Sequence, residues 1–402
     1  ELVASIKIDG TEDISLYEIE YILTEASKII DYAYTCDIYN YNMAENTLTL
    51  LNSNRLGYNK DFLVRVNHFL KNAKMGRMGA NAKDKRKMIS QYGKEKKDIP
   101  GFEDAFEDEF GFSFKDFTEI TVSLLELAED KNNVFDTLYS TNIKEIKEHI
   151  NNKISDDNIN KIILYLSQVE REDYLIPPKP YRNVDVFPWR NNRELSLNRK
   201  PLIIYNDEII FGYRSLLNAI YFLFEIINNA TFKARSKKMK AYLGVLNRQS
   251  GEDFNEKAYE YLSTFPNSVV DKKVNKINGL KINDSHNNTL GDIDVLFISK
   301  KFKRIIVCEV KNFELSRNMY EMYNEYHDMF DPDNEKSFYN KHMKRVEWCK
   351  NHISDIVKHY NLEKKKWKID YCFIVNEPLI SNKAMKVNIN AYTLEDIDKY
   401  IK

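Results

Sequence analysis

GDIDVLFISKKFKRIIVCEVKNF, residues 291–313, decides how this 402-residue chain is read. Two runs of Ile, Val, Leu and Phe flank a turn made mostly of lysine, and each run carries acids. Side chains of a strand alternate between faces, so Asp292, Asp294, Leu296 and Ile298 share one side. Ile305, Val307, Glu309 and Lys311 share one side of the next strand. The opposite faces (Ile293, Val295, Phe297; Ile306, Cys308, Val310) are wholly apolar, which predicts strands covered on both sides. A turn centred near Lys301-Phe302 sets Ser299 opposite Arg304. Counting outwards, Asp294 then faces Glu309 and Asp292 faces Lys311. Directly opposed β-carbons lie about 4.5–5.5 Å apart, where like charges repel. Two opposed carboxylates beside apolar surface need a cation or a shared proton, and Mg²⁺, which favours carboxylate oxygens and retained waters, answers that need. A register slip of one residue would send every one of these side chains to the other face. Taken alone, the acids could also be ordinary edge ion pairs, Asp292 with Lys311 and Glu309 with another basic residue. Their removal would then behave differently: opposed carboxylates predict that Glu309→Ala leaves folding nearly intact, an ion pair that it does not.

The surrounding segments supply a frame for this hairpin. GEDFNEKAYEYLSTF (251–265) reads as a helix with Phe254, Ala258, Tyr261 and Leu262 on one side, and SVVDKKVNKI (268–277) as a strand followed by a Gly-Asn turn. After the hairpin come a long helical stretch, EKSFYNKHMKRVEWCKNHISDIVKHY, and a buried strand, KIDYCFIVNEP, with KVNINAYTLEDIDKYIK appended. The order is helix, three-stranded meander, helix, strand.

Asp294, followed on the next strand by Glu309-Val310-Lys311 inside that frame, resembles the PD-(D/E)xK nuclease superfamily. The GxxF…GDID…EVK form is most similar to its restriction-endonuclease-like, Mrr-type branch, and the resemblance covers about residues 246–380. It implies an α/β nuclease domain, a mixed sheet flanked by helices. It also implies Mg²⁺ (or Mn²⁺) held at Asp294 and Glu309, with Val310 in the ligand set and Lys311 assisting the attacking water. Asp292 falls where many relatives carry an auxiliary acid. The family's first helix often supplies a glutamate directly after the Phe of GxxF, where this chain has Asn255. Glu256 follows, turned by about 100° on a helix of 3.6 residues per turn, and is the candidate to replace it.

The rest of the chain bounds the function. With 43% hydrophobic and 13% aromatic residues it can bury more than one core, so it is globular rather than disordered. No apolar run approaches a membrane span and no signal peptide opens the chain, which predicts a cytoplasmic protein without a membrane partner. The first residue is Glu, which leaves room for upstream residues. Cys36, Cys308, Cys349 and Cys372 form no CxxC pair, and the seven histidines form no HExxH, so zinc knuckles and histidine-based metal chemistry are not expected. The net charge of −1 gives no global basic field. Basic residues instead gather at 71–97 and 231–240, and acidic ones at 103–130. Gly76 and Gly79 sit in a basic loop that is not a phosphate loop, because no strand precedes it and no GK[ST] follows.

These features predict a mostly helical N-terminal region at 1–173, then a connector with a hairpin and an apolar helix at 174–245, and an α/β nuclease domain at 246–402. The stretch 174–201 holds five of the nine prolines. The hairpin turns at Asn206-Asp207. The expected activity is metal-dependent endonucleolytic hydrolysis of nucleic acid, DNA favoured over RNA, in bacterial anti-phage defence or restriction, by a homo-oligomer or a subunit of a defence complex. The competing class is a silent nuclease-fold scaffold that binds nucleic acid without cutting it.

Overall fold

Among the described residues, apolar side chains at helical and strand periods build a core in each part of the chain. The computed structural model describes residues 13–42, 48–58, 101–131, 138–190 apart from 170, 172 and 174, and 193–401 apart from 314, 315, 317, 380, 382–384 and 386. The basic run at 71–97, with Gly76 and Gly79, lies outside the described residues. Contacts divide the chain into two compact units, Glu1–Asp31 with Gly76–Asn247 and Tyr32–Met75 with Arg248–Lys402. Among the described residues no helix is long and apolar enough to cross a membrane.

Helix α1 (Leu16–Asn40) is capped at Ser15: the Ser15 amide donates to Glu18 Oε2 at 2.8 Å, and the Glu18 amide donates to Ser15 Oγ at 3.3 Å. A short ribbon, β1 (Leu48–Leu50) and β2 (Leu56–Tyr58), follows. The first unit then runs α2 (Phe102–Phe110), α3 (Phe114–Lys131), β3 (Leu138–Asn142), α4 (Ile143–His149), α5 (Asp156–Leu166), β4 (Ile203–Tyr205), β5 (Glu208–Gly212) and α6 (Tyr213–Asn228). Asn206 and Asp207 both have positive φ, 48° and 65°, as a two-residue hairpin turn matched to strand twist requires. The unit is helical but carries an antiparallel sheet in the order β3-β5-β4. Strand β3 reads LYSTN, too short and too polar to announce itself, and its partner β5 lies beyond the proline-rich connector. One apolar core therefore extends from Phe102 to Leu246.

The second unit takes the last turns of α7 (Lys237–Ser263), then β6 (Ser268–Val274), a small hairpin of β7 (Lys276–Ile277) and β8 (Leu280–Lys281), β9 (Ile293–Ser299) and β10 (Arg304–Lys311). Next come α8 (Met319–Met329), α9 (Phe338–Asn351), α10 (Ile353–His359), β11 (Lys368–Val375), β12 (Ala391–Tyr392) and α11 (Asp398–Ile401). The long helical stretch read at 335–360 is thus two helices, α9 and α10, and α8 precedes it. Between α9 and α10 the Trp348 carbonyl accepts the His352 amide at 3.0 Å and lies 2.9 Å from the ring Nδ1 of the same residue. The sheet order is β12-β11-β10-β9-β6: β6, β9 and β10 are an antiparallel meander, and β11 and β12 add on in parallel.

The alternation read from the hairpin sorts the core into two layers from Val295 onwards, whereas Ile293, read on the face of Val295, packs with the opposite layer. Leu296, Ile298, Ile305 and Val307 pack with Val346, Trp348 and Cys349 of α9 and with Ile356 of α10. Val295, Phe297, Ile306, Cys308 and Val310 pack with Ala258 and Leu262 of α7 and with Ile397 and Ile401 near the C-terminus. Leu296 has no exposed surface. Leu296→Ala should therefore cost about 2–5 kcal/mol, read as a lower urea midpoint, whereas alanine at the exposed Lys301 should stay within about 0.5 kcal/mol of the parent.

Candidate functional site

The β9–β10 ladder fixes where the acids stand. Arg304 pairs with Ser299 and the register runs to Cys308 opposite Val295, so one further step outwards sets Asp294 opposite Glu309 on the face covered by α9. There the backbone pairing ends, and the Val310 amide donates to Asp294 Oδ2 at 2.8 Å. Lys311 Nζ lies 2.8 Å from Glu309 Oε1 and 3.8 Å from Asp294 Oδ2, so the two carboxylates and the ammonium converge. The Lys311 ammonium also rests 4.8 Å from the centre of the Phe338 ring, at the start of α9.

Two further residues close the site from behind. Arg345 Nη1 lies 2.8 Å from Glu309 Oε2 and donates at 2.6 Å to the carbonyl of Asp292. Its N–H bonds do not point along the line to Oε2, so that buried oxygen has an ion-pair partner but no aligned hydrogen bond. His342, one turn earlier on α9, is fully buried with Nδ1 3.6 Å from Glu309 Oε2, edge-on to Phe373, and neither ring nitrogen makes an aligned hydrogen bond. Arg345 and His342 are three apart on one helix and so share a face, a pattern visible in YNKHMKRVEW. Nothing in the sequence says that this face meets Glu309.

Burial and neighbours push the two carboxyls in opposite directions. Burial, then the charge on Glu309, raises Asp294 to about 6 against the pull of Lys311 and the Val310 amide. Burial would raise Glu309 as well, but Lys311, then Arg345 and His342, outweigh it and hold Glu309 below the ordinary glutamate range. Burial lowers His342 to about 4, against the opposing pull of Glu309, so its ring is neutral near pH 7.

The structure does not bring together every residue predicted for the site. Asp292 precedes β9, its side chain is exposed, and it contributes its carbonyl to Arg345 rather than a carboxylate opposite Lys311. Glu256 pairs with Lys272, whose cross-strand neighbour is Val295. Cross-strand neighbours share a face, and Val295 belongs to the layer under α7, so Glu256 is engaged on the side of the sheet away from Asp294 and Glu309. Asn255 shares a helix stripe with Ala258 and Leu262, and its Oδ1 is buried without a hydrogen-bond partner. Among the described residues no group of three or more His, Cys, Asp or Glu side chains could hold a metal ion. A cation at this site would rest on Asp294 and Glu309. Oxygen-only donors suit a hard divalent ion that retains waters, and such an ion would have to displace the proton that burial favours on Asp294. Val310 has already given its amide to Asp294, which leaves its carbonyl as the group it could offer.

A family model described as anti-phage protein Upx-like matches residues 3–376. No curated protein and no solved structure matches the chain.

The electrostatics reverse one sequence expectation. Removing Glu309 strips a buried guanidinium of its carboxylate, so Glu309→Ala should destabilise the metal-free protein by about 3–5 kcal/mol in chemical denaturation instead of relieving repulsion. The pH dependence separates two neighbouring groups. Asp294 holds its proton more tightly folded than unfolded, so its contribution is complete below about 3.8 and is lost as pH rises through about 6. His342 is protonated more readily unfolded, so its contribution falls as pH drops from 6.5 towards about 4. The two slopes oppose each other in the parent. In EDTA, Asp294→Asn should therefore gain stability with rising pH between about 4 and 6.5 more steeply than the parent. Parallel curves would show that Asp294 titrates normally.

Proposed function

The chain belongs to the Upx-like family of anti-phage proteins and so acts in phage defence, and on that premise we propose that it is a metal-dependent nuclease of the PD-(D/E)xK type. The observation that carries this reading is the convergence of Asp294, Glu309 and Lys311 at the end of the β9–β10 hairpin. A carboxylate pair with an adjacent lysine suits phosphodiester hydrolysis, because the anionic ester repels a nucleophile until its charge is screened. Bound Mg²⁺ or Mn²⁺ would supply that screening and a more acidic water.

The chain's own residues divide the remaining work. Asp294 and Glu309 offer the cation two oxygens on neighbouring strands, and Arg345 holds the second carboxylate in one orientation. Lys311 orients the attacking water or meets charge developing on the phosphate. Before any metal enters, two carboxylates face one ammonium and one guanidinium, and His342 is neutral. The site is then close to charge balance, so a divalent ion should bind weakly until substrate phosphate offsets its charge. DNA is favoured over RNA as the substrate, and the protein works in the cytoplasm, where phage nucleic acid is exposed, as a homo-oligomer or a subunit of a defence complex.

A second reading has its own support. Lys311 and Arg345 already neutralise both carboxylates, and Asn255 stands where the nuclease family often has a glutamate, features that suit a silent nuclease-fold subunit that binds without cutting. The two readings separate in a cleavage assay on linear, circular and single-stranded substrates with Mg²⁺ or Mn²⁺. The nuclease reading expects cutting in the parent, none with Asp294→Asn or Lys311→Ala, and less than about a tenfold change with Glu256→Gln, since Glu256 makes its ion pair elsewhere. A parent that binds these substrates and cuts none of them favours the silent subunit.

A further inference from the structure

The geometry beside the carboxylates points to a surface that grips phosphates. Phe338, the first residue of α9, has the Lys311 ammonium 4.8 Å from its ring centre and the Lys341 ammonium 5.6 Å from it. The two cations are therefore within about 10 Å of each other on one aromatic ring. They are neutralised unequally. Lys311 has Glu309 and Asp294, whereas Lys341 forms no ion pair among the described residues. One turn further along the same helix Lys344 is exposed and also forms none. Their spacing of three residues places them on one ridge of α9, while Arg345 and His342 turn inwards to Glu309. The nearest acids in sequence do not offset this charge: Glu347 is 3.3 Å from Lys350, and Asp333 and Glu335 precede the helix.

We propose that Lys341 and Lys344 form a phosphate-contact ridge that holds the substrate strand beside the phosphate placed at Asp294, Glu309 and Lys311. The inference rests on the nuclease reading and deepens it by naming two residues outside the carboxylate site that hold the neighbouring phosphates of a polyanionic strand. Phe338 fixes the lateral position of both cations, so the ridge continues directly from the lysine of the site. A lysine held against a ring without a carboxylate keeps its full charge for an incoming phosphate. Such contacts act on the backbone and are insensitive to base sequence.

The test is binding by the full chain carrying Asp294→Asn, in EDTA, to a short labelled duplex and to its single strand over a range of salt concentrations. Lys341→Ala and Lys344→Ala should each weaken binding several-fold, together by about tenfold or more, and each should lower the slope of log affinity against log salt for the duplex by about 0.9. Lys341→Arg should retain parental affinity and slope. A double alanine variant with unchanged affinity and slope would show that the ridge is merely a solvated helix face, leaving the nuclease reading standing. If the Asp294→Asn parent itself binds neither nucleic acid, the ridge falls, while the nuclease reading is judged by the cleavage assay.

Discussion

A carboxylate with 2% of its surface exposed, in the third of five strands, is the constraint around which the second unit is organised. Taking an ion of that kind out of water costs several kcal/mol unless opposite charge meets it. Glu309 is met twice, by Lys311 two residues along its own strand and by Arg345 from α9. The second partner ties chain topology to electrostatics, because α9 must lie across the β9–β10 face for the guanidinium to arrive. The same guanidinium takes the Asp292 carbonyl and so anchors the chain as it enters β9. The apolar layer of Leu296, Ile298, Ile305 and Val307 with Val346 and Trp348 gives that helix its seat.

The hairpin was legible because its signals are local. A lysine-rich turn of known position and a period of two set the register, and the ladder from Ser299–Arg304 to Val295–Cys308 follows it. What a period of two cannot convey is where a ladder stops. The reading carried the pairing on to Asp292 and Lys311, but the Asp294 side chain takes the Val310 amide and β9 starts only at Ile293. Arg345 and His342 stayed hidden because their role depends on which helix face covers the sheet, a long-range fact. Glu256 was ambiguous for a related reason: its rotation on α7 was known, whereas its partner Lys272 on β6 was not. In the first unit the Asn206-Asp207 turn announced a hairpin, yet β3, the third strand of that sheet, is five residues of mixed polarity with no pattern of its own.

The family match runs from residue 3 to residue 376 and so takes in both units. Membership attaches to the whole arrangement and not only to the hairpin. The first unit has its own core, with Phe102, Phe106, Phe112, Phe114 and Phe117 packed edge to face and stacked, and this aromatic density belongs to a folded body rather than to a tether.

The mutual burial of Glu309 and Arg345 has an evolutionary side. Lys311 can be lost at smaller cost, because Arg345 remains on Glu309, Lys311 is itself a quarter exposed, and Asp294, already raised to about 6, can take up a proton in its place. Loss of Glu309 strands the buried Arg345, and loss of Arg345 leaves the buried Glu309 with Lys311 alone, so drift at that pair is costly from either side. Where selection on this site is relaxed, the lysine is then expected to vary first and the glutamate–arginine pair to persist for its structural role. A relative that keeps both members of that pair but lacks the lysine would keep the seat of α9 on this sheet without the lysine's charge.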